Sequence, residues 1–389
     1  MVTKESQPIE QHSKFPYPGV VDADGHILEP PDLWENYLEE KYKPRAMRIK
    51  LDDNGQEYWE IDGKQSRRLN KGKMGFLAAM GEDMSKAKPR TYLEGAPFGS
   101  MNARERVQYL DQENLEMAVL YPTIGIFWEF ECDDPELTAA YCRAYNRYIV
   151  DFCKDGDGRL VPIAHLSLFD PAAAAEELER AVKSGAKGAF VGTFNQTGQS
   201  HGHPDHDVLW AKAQELGVPI GIHPTLEPTW AVTSQRFKDL TGRYVWFHNV
   251  IARQGSQQAF YSMFQYGVFD KFPGLKLVIL ESGGGWIASS LDRMDAVFDT
   301  MLGRSLPLKE KPSTYFKRQC WISSDPDETA LSPIIDLVGD DRFFWASDYP
   351  HPDHAPDYVD HLVELVQPLS DRARKNLLGD AVKKAYNLT

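Results

Sequence analysis

Cysteine is scarce in this chain, with four in 389 residues. They stand at Cys132, Cys142, Cys153 and Cys320, and none forms a Cys-x-x-Cys. Neither a disulfide framework nor a thiolate zinc site is therefore expected. Long apolar runs are also absent. No stretch approaches the roughly 18 residues that would suggest a membrane-spanning helix. The opening MVTKESQPIEQHSKFPYPG lacks the apolar segment of a secretory signal, so a soluble, cytoplasmic protein is the expectation. Positive charge is in deficit: Lys+Arg 43 against Asp+Glu 57 leaves a net −14. Such a chain is a poor match to phosphate backbones or anionic lipid, so neither nucleic acid nor a membrane is an expected partner. No Gly-x-Gly-x-x-Gly follows the first strand-like run, which disfavours a dinucleotide fold.

What remains is enough for a large packed core. Hydrophobic residues make up 42% and charged residues 26%, which excludes bulk disorder. After an N-terminal arm (1–18), expected to be disordered or loosely docked, β-rich runs recur, and most are followed by helix-like segments. The runs are Gly19–Asp24, Glu116–Tyr121, Leu160–His165, Lys187–Gly192, Val218–His223, Leu275–Glu281, Cys320–Ser324 and Phe343–Asp348. Asp170-Pro171 followed by AAAAEELERAVKSG is a helix with an N-cap, an N1 proline and a glycine stop. The final LSDRARKNLLGDAVKKAYNL reads as two short helices, the first capped by Ser370. Continuous apolar runs such as VPIGI and LKLVIL suit strands covered on both faces. Eight β/α alternations predict an α/β fold, a (β/α)8 TIM barrel occupying 19–389 as a single domain.

One interval is anomalous. Roughly ninety residues separate the first two strands, where a βα unit needs about thirty. Asn54-Gly55 between alternating runs marks a β-hairpin there. This insertion (30–115) is expected to be a cap or lid over the barrel mouth, or a decoration used in oligomer contacts. Its Arg67, Arg68, Lys71 and Lys73 read first as a solvated charged stretch and second as a lid for an acidic substrate.

In a TIM barrel the chemistry sits at the C-terminal ends of the strands. Strand one ends in Asp22-Ala23-Asp24-Gly25-His26, strand three at His165, strand five at His223, strand six at Glu281 and strand eight at Asp348, with His351 close behind. Asp24 and His26 are two apart and share one side of a strand. Imidazoles and carboxylates converging on one mouth suit a divalent ion, Zn, Mn or Fe. Other residues have two readings. Asp22 is expected to cap a turn rather than face the ion. His165 is a core histidine or a substrate contact. His201, His203 and His206 mark a solvated loop more readily than a structural metal. His248 is packed or lines the pocket. Trp286 packs on the barrel or stacks on substrate, and Trp128 and Trp230 follow strands two and five on the functional face.

The strings VDADGHILEP, GVPIGIHP, FPGLKLVILESGGGW with the later RMD, and WASDYPHPD together resemble the amidohydrolase-related metal-dependent barrels. Within them the chain resembles the branch containing aminocarboxymuconate-semialdehyde decarboxylase and the resorcylate decarboxylases. The resemblance covers about residues 19–388. It implies that Asp24, His26, His223 and Asp348 hold the metal, with Asp-x-His replacing the more usual His-x-His of the first motif. It also implies a departure: those decarboxylases carry a histidine before the glycine-rich turn, where this chain has Glu281-Ser282-Gly283-Gly284. Glu281 is the expected replacement as acid/base group, or a further metal ligand, with His351 and Asp348 as catalytic neighbours. The leading expectation is a lyase or hydrolase with one ion, acting on a small carboxylated aromatic or unsaturated substrate. The alternatives are a dinuclear Fe/Mn oxygenase and a non-catalytic subunit. A homodimer is expected, or a hetero-oligomer with a homologous subunit.

Overall fold

The computed structural model describes residues 13–67, 69, 71–83, 86–226, 228, 235–237, 239–240, 245–352 and 354–389, excluding the side chains of 245, 248, 249 and 252. Among the described residues, eleven strands form two sheets. Eight are parallel: β1 (Val21–Ile27), β5 (Met117–Pro122), β6 (Leu160–His165), β7 (Gly188–Gly192), β8 (Pro219–His223), β9 (Lys276–Ile279), β10 (Cys320–Ser324) and β11 (Phe343–Trp345). They are ordered as in the chain. The ring is tied shut at its C-terminal end, where Asp348 N donates to Asp24 O at 2.9 Å and His26 N to Tyr349 O at 2.8 Å. This is the expected (β/α)8 barrel.

The strands are buried on both faces, which explains their unbroken apolar runs. In β5, Ala118 and Leu120 face the helices, while Val119 and Tyr121 join the barrel interior with Val161, Ile163, Phe190 and Leu280. The predicted strand ends hold to within a few residues. The largest shifts are of three residues: β1 runs on to Ile27, where it still pairs with Pro122 of β5, and β11 stops at Trp345 rather than Asp348.

The end of the chain differs from expectation. Helix Asp371–Lys375, a π-turn Asn376–Asp380 and helix Ala381–Tyr386 are contiguous, so there is one bent helix rather than two separate ones. The π-turn carries Gly379, where a Cβ would stand 2.1 Å from Gly19 O. The close approach of strand to helix needs that glycine. Ser370 caps the start through Ala373 N, as expected. Ala381, Val382, Ala385 and Tyr386 then pack with the barrel interior.

Of the N-terminal arm, Phe15 is fully packed, against Trp345 with ring centroids 5.2 Å apart. In the insertion, β2 (Arg48–Leu51), β3 (Glu57–Ile61) and β4 (Lys64–Gln65) form an antiparallel sheet whose first turn carries Asn54-Gly55. Arg45 bridges Asp62 of this sheet to Asp134, the N-cap of helix Pro135–Lys154. The insertion also meets the C-terminal face of the barrel. Tyr349 Oη donates to Phe98 O at 2.7 Å, and Leu28 N to Ser100 O at 2.9 Å.

Candidate metal centre

A bulge shapes the first strand. Its register against β5 shifts between Asp22 and Gly25. Val21 and Ala23 fill the barrel interior, so a regular strand would turn both Asp22 and Asp24 outward. The extra residue lets Asp24 face inward beside His26, and Asp22 stays outside. Asp22 accepts from Ser347 N at 3.0 Å and Ser347 Oγ at 2.7 Å, and so ties the end of β11 to β1. This is the capping role expected of it. Burial pushes its carboxyl up to about 6 despite those two bonds. Gly25 leaves room at the crowded point: a Cβ there would stand 2.7 Å from Asp22 Oδ2 and 2.8 Å from Arg106 Nη2, and would displace those two side-chain ends.

Asp24, His26, His223 and Asp348 come together, all buried. His26 Nε2 lies 2.8 Å from Asp348 Oδ1 and 3.4 Å from Asp24 Oδ1. His223 Nε2 lies 3.6 Å from Asp24 Oδ2 and 3.3 Å from Glu281 Oε2. The backbone decides which nitrogens carry protons. His26 Nδ1 sits 2.9 Å from Pro122 O and His223 Nδ1 2.7 Å from Pro224 O. A carbonyl only accepts, so both Nδ1 atoms donate and both neutral rings present an Nε2 lone pair to the carboxylates. Lone pair against carboxylate, out of water, repels until a cation or a proton lies between them. Asp24 Oδ1 and Oδ2, His26 Nε2, His223 Nε2 and Asp348 Oδ2 accordingly have no well-formed hydrogen bond among the described residues.

The electrostatics follow from this crowding. Burial, joined by the nearby His351, pulls His26 below its ordinary value. Burial pulls His223 down, but Asp24, the Pro224 carbonyl and Asp348 together outweigh it and the net shift is upward. Burial pushes Asp348 up, yet His351 and His26 hold it well below the usual carboxylate range. Asp348 and Glu281 both sit in left-handed backbone, at φ 54° and 39°. Such conformations cost free energy for residues with a Cβ and collect at functional sites.

His351 completes the floor. Its Nδ1 is 3.1 Å from Asp348 Oδ1, its Nε2 2.9 Å from Thr123 Oγ1, and its ring centroid 4.0 Å from that of His26. Thr123 is held in turn by Glu29, whose carboxylate accepts from the backbone N–H of Thr123, Ile124 and Gly125 at 3.2, 2.8 and 2.9 Å. Sequence reasoning missed Glu29, Thr123 and Ser347. The available signal for Glu29 was a charged residue between Leu28 and Pro30, directly after the His26 motif.

The remaining candidates are placed as follows. His165 is buried and stacks on Phe190 at 4.5 Å, with its Nε2 3.6 Å from Glu129 Oε2. It belongs to neither three-residue group able to hold a metal among the described residues. Trp128 is buried against Tyr141 and lies 5.4 Å from the His165 ring. Trp286 packs on Phe260 and Tyr261. Trp230 and the His248 side chain fall outside the described residues. In the insertion, Lys71 pairs with Asp52 and Arg67 N donates to Glu131, while Arg68 lies outside the described residues.

His201 and His206 are buried rather than solvated. His201 Nε2 donates to Gly192 O at 2.7 Å, and burial depresses the ring to about 4. A depressed histidine stabilises the fold above its unfolded value of about 6.5, and that contribution is lost as pH falls towards 4. His201→Gln keeps an N–H donor without the titration. Between pH 7 and 4.5, wild type should lose about 2–3 kcal/mol more unfolding free energy than this variant. Parallel denaturant curves at the two pH values would refute this.

A family model described as amidohydrolase matches residues 105–388. A gamma-resorcylate decarboxylase from Rhodococcus jostii is 26% identical over 308 residues, covering 70% of this chain and 85% of that protein. The crystal structure of an amidohydrolase from Mycobacterium avium subsp. paratuberculosis resembles this chain with a TM-score of 0.79 at 22% identity, over 95% of this chain and 99% of the other. The 5-carboxyvanillate decarboxylase of Novosphingobium aromaticivorans, solved with manganese and 4-hydroxy-3-methoxy-5-nitrobenzoic acid, gives a TM-score of 0.67 at 17% identity over 100% of both chains. At such identities the two structures speak for the shared fold.

Proposed function

The chain belongs to the amidohydrolase family, and from that premise we propose that it is a metal-dependent carboxy-lyase acting on a small aromatic carboxylate. The observation that carries the reading is the pair of imidazole lone pairs, of His26 and His223, turned onto the buried carboxylates of Asp348 and Asp24 at the barrel mouth. Asp24, His26, His223 and Asp348 would hold a divalent cation, and their chemistry fits one: two neutral nitrogens and two anionic oxygens, buried together. The oxygen-rich set favours manganese or iron over zinc. The manganese of the carboxyvanillate decarboxylase supports this choice. One ion is the simpler count. The two three-residue groups, Asp24–His26–His223 and His26–Asp348–His351, share His26. Its one available lone pair serves one ion.

When bound, the ion supplies Lewis-acid polarisation of a substrate oxygen. The chain supplies the proton. Asp24 is 0% and Asp348 1% exposed, whereas the Glu281 side chain is 21% exposed. Glu281 is therefore the site carboxylate that meets an incoming ligand. In its protonated form it would give the ring carbon the proton gained as the bond to the substrate carboxylate breaks and carbon dioxide leaves, and solvent at the partly exposed side chain would then restore that proton. The insertion would wall the mouth through its contacts with residues 28 and 349.

Manganese-loaded protein incubated with hydroxylated benzoates, resorcylates and carboxyvanillate among them, should release carbon dioxide and the matching phenol. His223→Ala should release none. A fully loaded wild type that decarboxylates no member of the panel would overturn the proposal and leave a non-catalytic role in the lead.

A further inference from the structure

The four-residue cation site is not the whole donor set. Asp348 and His351 are three apart in a turn closed by His351 N donating to Asp348 O at 2.8 Å. The turn brings both side chains to one place. His26, Asp348 and His351 each offer a ligand atom, all within 4.8 Å of one another. His26 Nε2, the lone pair established above, and His351 Nδ1 both converge on Asp348 Oδ1, at 2.8 and 3.1 Å. The two rings lie 4.0 Å apart between centroids at an interplanar angle of 32°. Imidazole centroids on adjacent corners of one octahedral ion stand roughly 4.6 Å apart when metal–nitrogen bonds are about 2.1 Å, a little more than the separation here. The far nitrogen of His351 is already provided for, because the Thr123 hydroxyl oxygen at 2.9 Å can accept its proton. Glu29 fixes the Thr123 backbone from below. A hydroxyl both donates and accepts, so it fits either tautomer: Nδ1–H on Asp348 Oδ1 when no cation is bound, and Nε2–H on Thr123 Oγ1 when Nδ1 gives its lone pair to an ion.

We propose that His351 is itself a metal ligand, through Nδ1, so that the centre takes three imidazoles and two aspartates. This rests on the metal reading above and departs from the four-ligand set implied by resemblance. An octahedral ion so held keeps one open corner, and a substrate would enter through a single oxygen.

The test is to count imidazoles on the full-length, cobalt(II)-substituted protein by proton NMR. Each bound ring has one far N–H, held on Pro122 O, Pro224 O or Thr123 Oγ1, and each should give one exchangeable, strongly hyperfine-shifted resonance. Wild type should show three and His351→Phe two. Chelator competition should show cobalt binding at least about tenfold weaker in the variant. Two resonances in cobalt-bound wild type would overturn the proposal and make His351 a hydrogen-bond donor to Asp348, with the four-ligand site intact. No bound cobalt would overturn the metal reading with it. The wild-type count decides even if His351→Phe fails to fold.

Discussion

Asp24→Asn should abolish metal binding and turnover while raising the melting temperature of the metal-free protein. The two effects have one cause. Asp24 is fully buried, and neither carboxylate oxygen has a well-formed hydrogen bond among the described residues. Both oxygens face imidazole lone pairs, at 3.4 and 3.6 Å. Without a cation this arrangement is destabilising. Asparagine has the same shape, loses the charge and brings N–H donors to nitrogens that lack them. The metal-free variant should gain about 1–3 kcal/mol, or roughly 2–5 °C in melting temperature. The same change removes an anionic ligand. Affinity for manganese should fall at least about a thousandfold, the equivalent of roughly 4 kcal/mol for breaking a buried charge contact. Saturating manganese should stabilise wild type by about 4 kcal/mol at a thousand times its dissociation constant and leave the variant unmoved. Melting curves of both proteins with and without chelator are the check. A metal-free variant that melts below metal-free wild type, or that still shifts with manganese, would refute the assignment.

How much of this was legible beforehand depended on the length scale of the signal. The eight strands were visible because each is buried on both faces, so VPIGI and LKLVIL read as unbroken apolar runs. The metal candidates were visible because a barrel presents strand ends, and His223, Glu281 and Asp348 stand at three of them. What was not visible depends on departures from regular geometry. Asp22 and Asp24 have the same parity in the sequence, and only the bulge separates their faces. The C-terminal pair of helices is continuous because Gly379 admits the Gly19 carbonyl into a π-turn, a contact made across the length of the chain. Glu29 and Thr123 are 94 positions apart and act through a backbone N–H and a hydroxyl. No spacing rule joins them. Trp128, placed on the functional face from its position after strand two, packs on Tyr141 and on the ring of His165 at the end of β6, partners that no spacing rule names.

Glu281→Gln is the sharpest test of the chemistry, as distinct from the metal. The residue combines three features: it is the partly exposed carboxylate of the site, its backbone, like that of Asp348, is left-handed, at φ 39°, and its backbone N–H is pinned by donation to Ser323 Oγ at 3.0 Å. The pinned, left-handed turn swings the side chain off the line of β9 and over the mouth, beside His223. That conformation costs of order 1 kcal/mol or more for a residue of this kind. It sets the partly exposed carboxyl where a ligand would enter, and proton transfer requires hydrogen-bond reach to the reacting atom. Glutamine preserves the shape and the bond to Ser323 but cannot exchange a proton. Turnover should fall by about 10²–10⁴-fold, with kcat and kcat/KM dropping together, as they do when an interaction confined to the transition state is removed. Manganese content should stay at the wild-type value. Glu281→Asp, which retains the acid on a shorter arm, should recover part of the loss. Each alternative has its own trace. Loss of metal alongside activity would make Glu281 a ligand. Near-wild-type turnover in the glutamine variant would move the proton to another group, with the ion retained in its place.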